Sequence, residues 1–413
     1  MSLHNTVSGN RVHIGFFGRR NAGKSSLVNA VTGQNLAVVS AVPGTTTDPV
    51  QKAMELLPMG PVLIIDTPGI DDEGALGALR VQKTQQVLHK TDVAVLVVES
   101  GLDSEGYDIG KGVGDADLCV AEELIALFRE QGIPFLVAYN KCDLLSRPPE
   151  APEGERAVFL SAQHKTNIDT LKESIAALSA PEDKRPIVGD LLQRGDLAIL
   201  VTPIDSAAPK GRLILPQQQT IRDVLDSGAG AVVVKETELS HMLSCLAQTP
   251  RIVITDSQAF APVAAIVPED IPLTSFSILF ARHKGDLIQA VRGAAALETV
   301  QDGDTILISE GCTHHRQCDD IGSVKLPRWI RGHTGKELRF VFSSGTEFPE
   351  DLSPYRLIVH CGGCMLNPRQ MRYRQKCAAE QGVPMTNYGV LIAHIQGILP
   401  RALAPFPAAA AAL

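Results

Sequence analysis

The sequence predicts an α/β protein, in which one larger N-terminal domain is followed by two smaller βα domains with mainly parallel sheets. Three observations lead there. Apolar runs of strand length alternate with helix-length segments from Val12 to about residue 381, the pattern of βα units around a parallel sheet. A glycine-rich turn, 18–23, joins the first strand to the first helix. The charged, proline-containing stretch PEDKRPIVGD (181–190) interrupts the alternation and marks a boundary. The expected domains are 1–180, 186–270 and 271–405.

Length and composition narrow the class. A chain of 413 residues exceeds one ordinary core. The formal charge is −8 and no long Lys/Arg run is present, which argues against a dedicated nucleic-acid binder. Apolar runs such as Val93–Val98 fall far short of the roughly 20 residues of a membrane helix. Met1–Arg11 carries no apolar signal core, so a cytoplasmic protein is expected. Eight cysteines without secretory features read as reduced thiols or metal ligands. The low-complexity tail PFPAAAAAL (405–413) is assigned no function.

The first domain opens with the strand Val12–Phe17, a glycine turn and a helix. Gly18-x4-Gly23-Lys24-Ser25 has the form of a phosphate-cradling loop, with Asn21, Ala22 and Ser26 inside or beside it. Its backbone N–H groups and helix N-terminus would face phosphate, Lys24 would reach the β- and γ-oxygens, and Ser25 would ligate Mg²⁺. The strand in VLIIDTPG (62–69) ends at Asp66, a carboxylate where Mg²⁺ would sit, with Gly69 closing the turn. PFLVAYNKCD (134–143) delivers Asn140-Lys141-Cys142-Asp143. There Asp143 suits the ring N–H and exocyclic amine of guanine, and Lys141 can pack on the ring. FLSA (159–162) supplies a Ser161-Ala162 turn. Asp103–Asp117 lacks EF-hand spacing and reads as a solvated loop.

In this order the motifs resemble the G1–G5 series of the translation-factor-like GTPases, over residues 11 to about 178. The resemblance implies GTP and Mg²⁺, with the first switch at VPGTTTDPV (42–50). Thr46 is the expected Mg²⁺ contact. The related pattern is Gly-Thr-Thr-Arg-Asp, and Thr47 here replaces its arginine, so Thr45, Thr46 and Thr47 all stay open for that role. Asn21 resembles the asparagine with which GTPases of the TrmE and Era groups hold K⁺ in place of an arginine finger. Ile70 stands where Ras-like proteins carry a water-orienting glutamine. An isoleucine cannot orient water, so hydrolysis is expected to be slow and cation-dependent, with Lys24, Asn21 and Thr46 as its catalytic residues.

In the middle segment strands are expected at Leu197–Thr202, Ala231–Lys235 and Arg251–Thr255, with helices between them. No catalytic constellation accompanies them, which suits a spacer or an oligomerisation surface. Lys210-Gly211-Arg212 reads as an exposed turn and Val232–Val234 as sheet core. His241 and Cys245, four apart on a helix, read as core packing.

The third segment is expected to run helix Lys284–Leu297, strand Thr305–Ser309, strand Leu338–Phe342, strand Leu357–His360 and helix Arg369–Gln381. Two of its strands lead into clusters of soft ligands, Cys312-x-His314 and His360-Cys361-Gly362-Gly363-Cys364. Ligands of open α/β sheets bind beyond the carboxyl ends of strands, so the two clusters can face one another. Gly362-Gly363 would let backbone amides turn toward sulfur, and the helix after Cys364 would lower thiolate pKa. The residues alone admit a redox pair, a Cys₃His zinc site or an iron–sulfur cluster with one iron not held by cysteine. Cys119, Cys142, Cys245 and Cys377 are assigned no role.

Cys-x-His, about 45 residues, then His-Cys-x-x-Cys, behind a potassium-type GTPase, resembles the HydF family of FeFe-hydrogenase maturation GTPases. The resemblance spans nearly the whole chain, including PKGRLILPQQQTIRDVLD (209–226). It implies a GTPase domain, a dimerisation domain and a cluster-binding domain. A 4Fe–4S cluster would sit on Cys312, Cys361 and Cys364, with His314 or His360 as a candidate fourth ligand and Cys318 outside the set. A di-iron precursor would come from the radical-SAM maturases HydE and HydG and pass to apo FeFe-hydrogenase, with GTP as a switch. A homodimer is expected, with no nucleic-acid or membrane partner. Two alternatives are a TrmE/Era-like GTPase of tRNA modification or ribosome assembly, and a regulatory GTPase with structural zinc. The first normally carries a C-terminal Cys-x-Gly-Lys or a basic RNA-binding domain, and neither is seen in the sequence.

Overall fold

The computed structural model describes residues 8–33, 50–69, 84–100, 115–145, 156–178, 185–204, 213–311, 320–345 and 347–413. Thr45, Thr46, Thr47, Ile70, Lys210-Gly211-Arg212, Cys312, His314 and Cys318 lie outside them, as do residues 103–114 and the side chain of Cys119. The chain divides into two compact units, Met1–Glu182 and Asp183–Leu413.

Among the described residues the first unit is built on six strands: β1 (Val12–Phe17), β2 (Val50–Leu56), β3 (Gly60–Asp66), β4 (Val93–Glu99), β5 (Phe135–Asn140) and β6 (Ala157–Phe159). They are ordered β2-β3-β1-β4-β5-β6. All pairs are parallel except β2–β3. That hairpin was not expected; its three-residue connection, 57–59, is too short for a parallel crossover. Successive residues of the central strands face opposite layers. Phe16, Ile64 and Val95 pack under the helices Lys24–Thr32 and Ile168–Leu178, whereas Phe17, Ile65 and Leu96 pack against Leu124 and Phe128. The helix Asp115–Glu130 begins inside the stretch read as a loop from the sequence.

The second unit carries two four-stranded parallel sheets. One is β10 (Leu273–Ser275), β9 (Ile252–Thr255), β7 (Leu197–Val201) and β8 (Gly230–Val234), in that order. The other is β12 (Arg339–Ser343), β11 (Thr305–Ser309), β13 (Leu357–His360) and β14 (Met385–Asn387). Both sheets contribute to one continuous core, from Ile199 and Val253 through Phe276 and Leu279 to Ile308 and Val359. β10 pairs with β9, so the first of these sheets extends past residue 270.

Three local expectations are corrected. The helix expected at Lys284–Leu297 is two helices, Phe276–Lys284 and Leu287–Ala295. Between them the Asp286 carboxylate accepts from Ile288 N and Gln289 N at 2.8 and 3.1 Å, starting a new helix. Val233, expected in the sheet core, is 41% exposed because β8 is an edge strand. His241 and Cys245 are exposed, not core, with ring Nε2 and sulfur 3.6 Å apart. No described helix is long and apolar enough to cross a membrane.

His13 on β1 gives this unit an acid-sensitive element. Its Nδ1 and Nε2 lie 3.0 Å from the carbonyls of Lys90 and Ser8, and burial pushes its pKa down to about 4. The imidazole is therefore neutral in the native state and protonates first in the unfolded one. Its contribution is intact above pH 6.5 and is lost as pH falls toward 4, at about 1.4 kcal/mol per pH unit. Pulse proteolysis of the N-terminal unit in urea should show stability falling by roughly 3 kcal/mol across that window. In His13→Gln the slope should be shallower; an unchanged slope would rule the residue out.

Candidate functional sites

The glycine turn after β1 has the conformation that its sequence demands. Gly18 has φ 141° and a Cβ there would lie 2.2 Å from the Val97 carbonyl oxygen. Gly23 has φ 89°, and its Cβ would meet Asn140 Nδ2 at 2.1 Å. Only glycine fits either position. Asn21, at φ 62°, shares the loop's left-handed geometry, and Ala22 is buried behind it. Lys24 is buried, and its ammonium donates to the carbonyls of Gly18 and Arg19 at 2.9 and 2.6 Å. Ser26 follows in the first helical turn.

The two expected Mg²⁺ residues meet. Ser25 Oγ donates to Asp66 Oδ2 at 2.5 Å. Asp66 is 1% exposed, and burial raises its carboxyl pKa against the opposing pull of Ser25, Lys24 and Lys52. A cation beside Asp66 would offset this desolvation. Lys52 had no signal in the sequence; it stands on β2, its ammonium 2.7 Å from Asn29 Oδ1. Gly69 passes directly against the phosphate loop, since a Cβ there would come within 2.7 Å of Arg20 N.

Asn140 ties the base-recognition segment to both neighbours. Its Nδ2 donates to the Ala22 carbonyl at 2.9 Å and its Oδ1 accepts from Ala162 N at 3.0 Å. Lys141, with φ 66°, extends to Glu99 at 2.7 Å, a partner that the sequence reading missed. The Ser161 hydroxyl beside Asp143 holds that carboxyl below its ordinary pKa, so it stays an acceptor. Such a carboxylate suits two N–H donors on one base edge.

In the second unit β11 and β13 are neighbours, with Ser309 opposite His360. The sheet order reverses there, because β12 lies on the far side of β11. Gly311 N donates to Cys361 Sγ at 3.1 Å and Gly363 N to the same sulfur at 3.4 Å. The segment that leads into Cys312 thus touches the sulfur of the second cluster. Two backbone donors on one sulfur, with Cys364 three residues on, fit a thiolate ligand of a metal or cluster.

Burial and local partners shape two residues at this site in ways that the sequence does not show. Burial pushes the Cys361 thiol up to about 11, outweighing the two amide donors. The helix Pro368–Glu380 begins later, capped by Asn367, whose side chain accepts from Gln370 N at 2.9 Å. His360 is 1% exposed, and both its ring nitrogens are engaged. Nδ1 donates to the Cys361 carbonyl at 2.7 Å, and Nε2 accepts from Arg374 Nη1 at 2.9 Å. Burial and the neighbouring guanidinium push its pKa down to about 3. In this arrangement His360 braces the loop and offers no lone pair to a metal.

The braces themselves were not foreseen. Lys284, 2% exposed, donates to the carbonyls of Gly363, Cys364 and Leu366 at 3.1, 3.1 and 2.8 Å. Arg374 also donates to Gly345 O at 2.8 Å and stacks 5.0 Å from the centroid of Phe348. Glu310 is buried and accepts from the Tyr388 hydroxyl at 3.1 Å. A lysine or arginine on a helix carries no sequence signal of such a role.

Three family models match parts of the chain. Residues 187–285 match a family model described as the hydrogen maturase F dimerization domain, and 288–405 match the hydrogen maturase F tetramerization domain. Together they cover more than half of the chain. Residues 13–141 match a model described as a 50S ribosome-binding GTPase. The chain is 34% identical over 178 residues to GTPase Der of Wolinella succinogenes, covering 40% of this chain and 35% of that protein. It is 30% identical over 161 residues to tRNA modification GTPase MnmE of Hydrogenovibrio crunogenus, covering 38% and 32%. The chain thus spans about a third of the length of these curated relatives. A crystal structure of a single-residue variant of Aquifex aeolicus Era bound to GDP.AlF4- is similar at a TM-score of 0.34 and 18% identity, covering 57% of this chain and 98% of that one.

Removing the Lys284 ammonium leaves three buried carbonyls of the cysteine loop without their cation. Lys284→Met should destabilise the second unit by roughly 2–4 kcal/mol. Trp329, the single tryptophan, lies in that unit and reports the urea transition by fluorescence. A midpoint equal to wild type would show that the loop holds without the clamp.

Proposed function

The chain belongs to the hydrogen maturase F family, and from that premise we propose that it is a GTP-hydrolysing scaffold that carries a 4Fe–4S cluster and a di-iron precursor to apo FeFe-hydrogenase. The cluster would be held by Cys312, Cys361 and Cys364. The observation that carries this reading is the convergence of Gly311 N and Gly363 N on the Cys361 sulfur, at the ends of two adjacent parallel strands. With His360 engaged at both nitrogens, His314 is the histidine proposed beside the exchangeable iron. Such a cluster supplies an open iron site; the chain's own part is to hold its loop rigid through Lys284 and Arg374.

The N-terminal domain is a GTPase domain by its family match, and we infer GTP with Mg²⁺ between Ser25 and Asp66. Asn21 is the proposed K⁺ residue. GTP would switch the affinity for the maturases HydE and HydG and for the apo-hydrogenase, with the chemistry left to the cluster unit. Self-association is the subject of both C-terminal family models, and a dimer through 187–285 is the proposed minimum.

Anaerobic iron, sulfide and zinc analysis with EPR after reduction tests the cluster. About four iron and four sulfide per chain are expected, lost in Cys312→Ala, Cys361→Ala or Cys364→Ala and kept in Cys318→Ala. All four variants should keep wild-type GTP hydrolysis. Stoichiometric zinc with no sulfide would overturn the reading in favour of a structural zinc site.

Hydrolysis in K⁺ against Na⁺ tests the cation. Wild type should be faster in K⁺, and Asn21→Ala should lose that preference. Equal wild-type rates in the two salts would remove K⁺ from the mechanism.

A further inference from the structure

A group of side chains of metal-ligating type lies in the C-terminal unit, on elements other than those that carry the cysteine loop. Glu298 sits on the short helical turn Ala296–Thr299, His333 in the last turn of Leu326–Thr334, and His394 in the last turn of Tyr388–Ile395. His333 Nε2 and His394 Nε2 each lie 2.8 Å from the same oxygen, Glu298 Oε1. One ligand atom from each residue falls within 4.8 Å of the others. The two rings are 5.9 Å apart and inclined at 59°.

Three features favour a cation there. Two helices end at this point, and their carbonyl ends add partial negative charge to the carboxylate. The three side chains project from backbone already fixed by packing: Leu297, Ile330 and Leu391 are 1%, 0% and 0% exposed. The ligand set is therefore placed in advance by the core, which is the requirement for a tight site. Finally, two imidazoles and one carboxylate form a donor set suited to zinc, iron(II), cobalt(II) or nickel(II) rather than magnesium or calcium.

We propose that Glu298, His333 and His394 form a divalent transition-metal site, distinct from the cysteine loop and open to solvent at its remaining position. In the metal-free form each imidazole shares the carboxylate oxygen through Nε2–H. Moving that proton to Nδ1 on both rings, with no net proton loss, turns two Nε2 lone pairs toward one point. A metal about 2.0–2.2 Å from each ligand needs ligand atoms roughly 3.3 Å apart, so each nitrogen–oxygen distance would open by about half an ångström on binding. The side chains are 56%, 26% and 22% exposed for Glu298, His333 and His394, so an ion reaches them directly. Bound metal would join three segments, 296–299, 326–334 and 388–395, that are distant in sequence.

Zinc and cobalt titrations of the full-length protein test this. The cluster cysteines are a competing site, so Co²⁺ serves as the discriminating probe: nitrogen and oxygen ligands give weak visible bands, and thiolates add intense near-ultraviolet charge transfer. In a Cys361→Ser/Cys364→Ser background one equivalent of Co²⁺ should bind with visible bands and no charge transfer, and Zn²⁺ should displace it. His333→Gln/His394→Gln in that background keeps two N–H donors for Glu298, so folding should be preserved while metal affinity drops at least tenfold. Circular dichroism and the Trp329 urea transition report the fold independently. Unchanged metal affinity in the glutamine variant, or no Co²⁺ bound in the background protein, overturns the proposal and leaves the triad as a hydrogen-bonded ion pair.

Discussion

Adjacent parallel strands must finish side by side, and both candidate sites of this chain depend on that constraint. Phe16 on β1 lies opposite Asp66 on β3, so the phosphate loop and the Asp66 turn emerge together. Glu99 on β4 lies opposite Asn140 on β5, which brings Lys141 within 2.7 Å of Glu99. Ser309 lies opposite His360, and the next residues on each strand, Glu310-Gly311 and Cys361, are then in contact. A slip of one residue would send Phe16 and Phe17 to the wrong layers, so the same core packing that stabilises the sheet fixes the loop positions.

The sequence made the strand ends legible because chemistry-bearing residues followed apolar runs directly. β1, β11 and β13 begin and end where the apolar pattern placed them, and the Gly18–Ser25 turn, the Asn140 segment and the His360–Cys364 segment stand at strand carboxyl ends. The class of the fold, a GTPase domain followed by parallel βα units, followed from that pattern. What escaped notice were elements too short to show periodicity, such as β10 and β14 with three residues each, and β2, whose seven residues VQKAMEL form no continuous apolar run. The break at Gly285-Asp286 was hidden because both flanking segments are apolar and helical. Two effects of the surroundings were also hidden: burial makes Cys361 harder to ionise, and His360 is engaged at both ring nitrogens. Neither effect can be read without knowing which atoms surround the residue.

Cations held by main-chain carbonyls recur in both units. Lys24 is bound by the carbonyls of Gly18 and Arg19, Lys284 by three from the cysteine loop, and Arg374 by Gly345 O. Irregular loops leave carbonyls that no strand or helix satisfies, and a long side chain supplies several donors without adding backbone. Burial is costly for such a charge: the Lys284 pKa is pushed down to about 8 and that of Arg374 to about 10. In return, the loops carry defined shapes despite having little regular structure.

Lys284 lies inside the stretch 187–285 that matches one family module, while the carbonyls it grips belong to 288–405, the other. The two segments therefore behave less like beads on a string than like a lock whose key is cut on the neighbouring part. A chimera that exchanged the middle module for one lacking a lysine at this place would inherit a cysteine loop without its internal fastening. Any such recombination has to carry residue 284 with the loop, even though it falls on the far side of the apparent boundary.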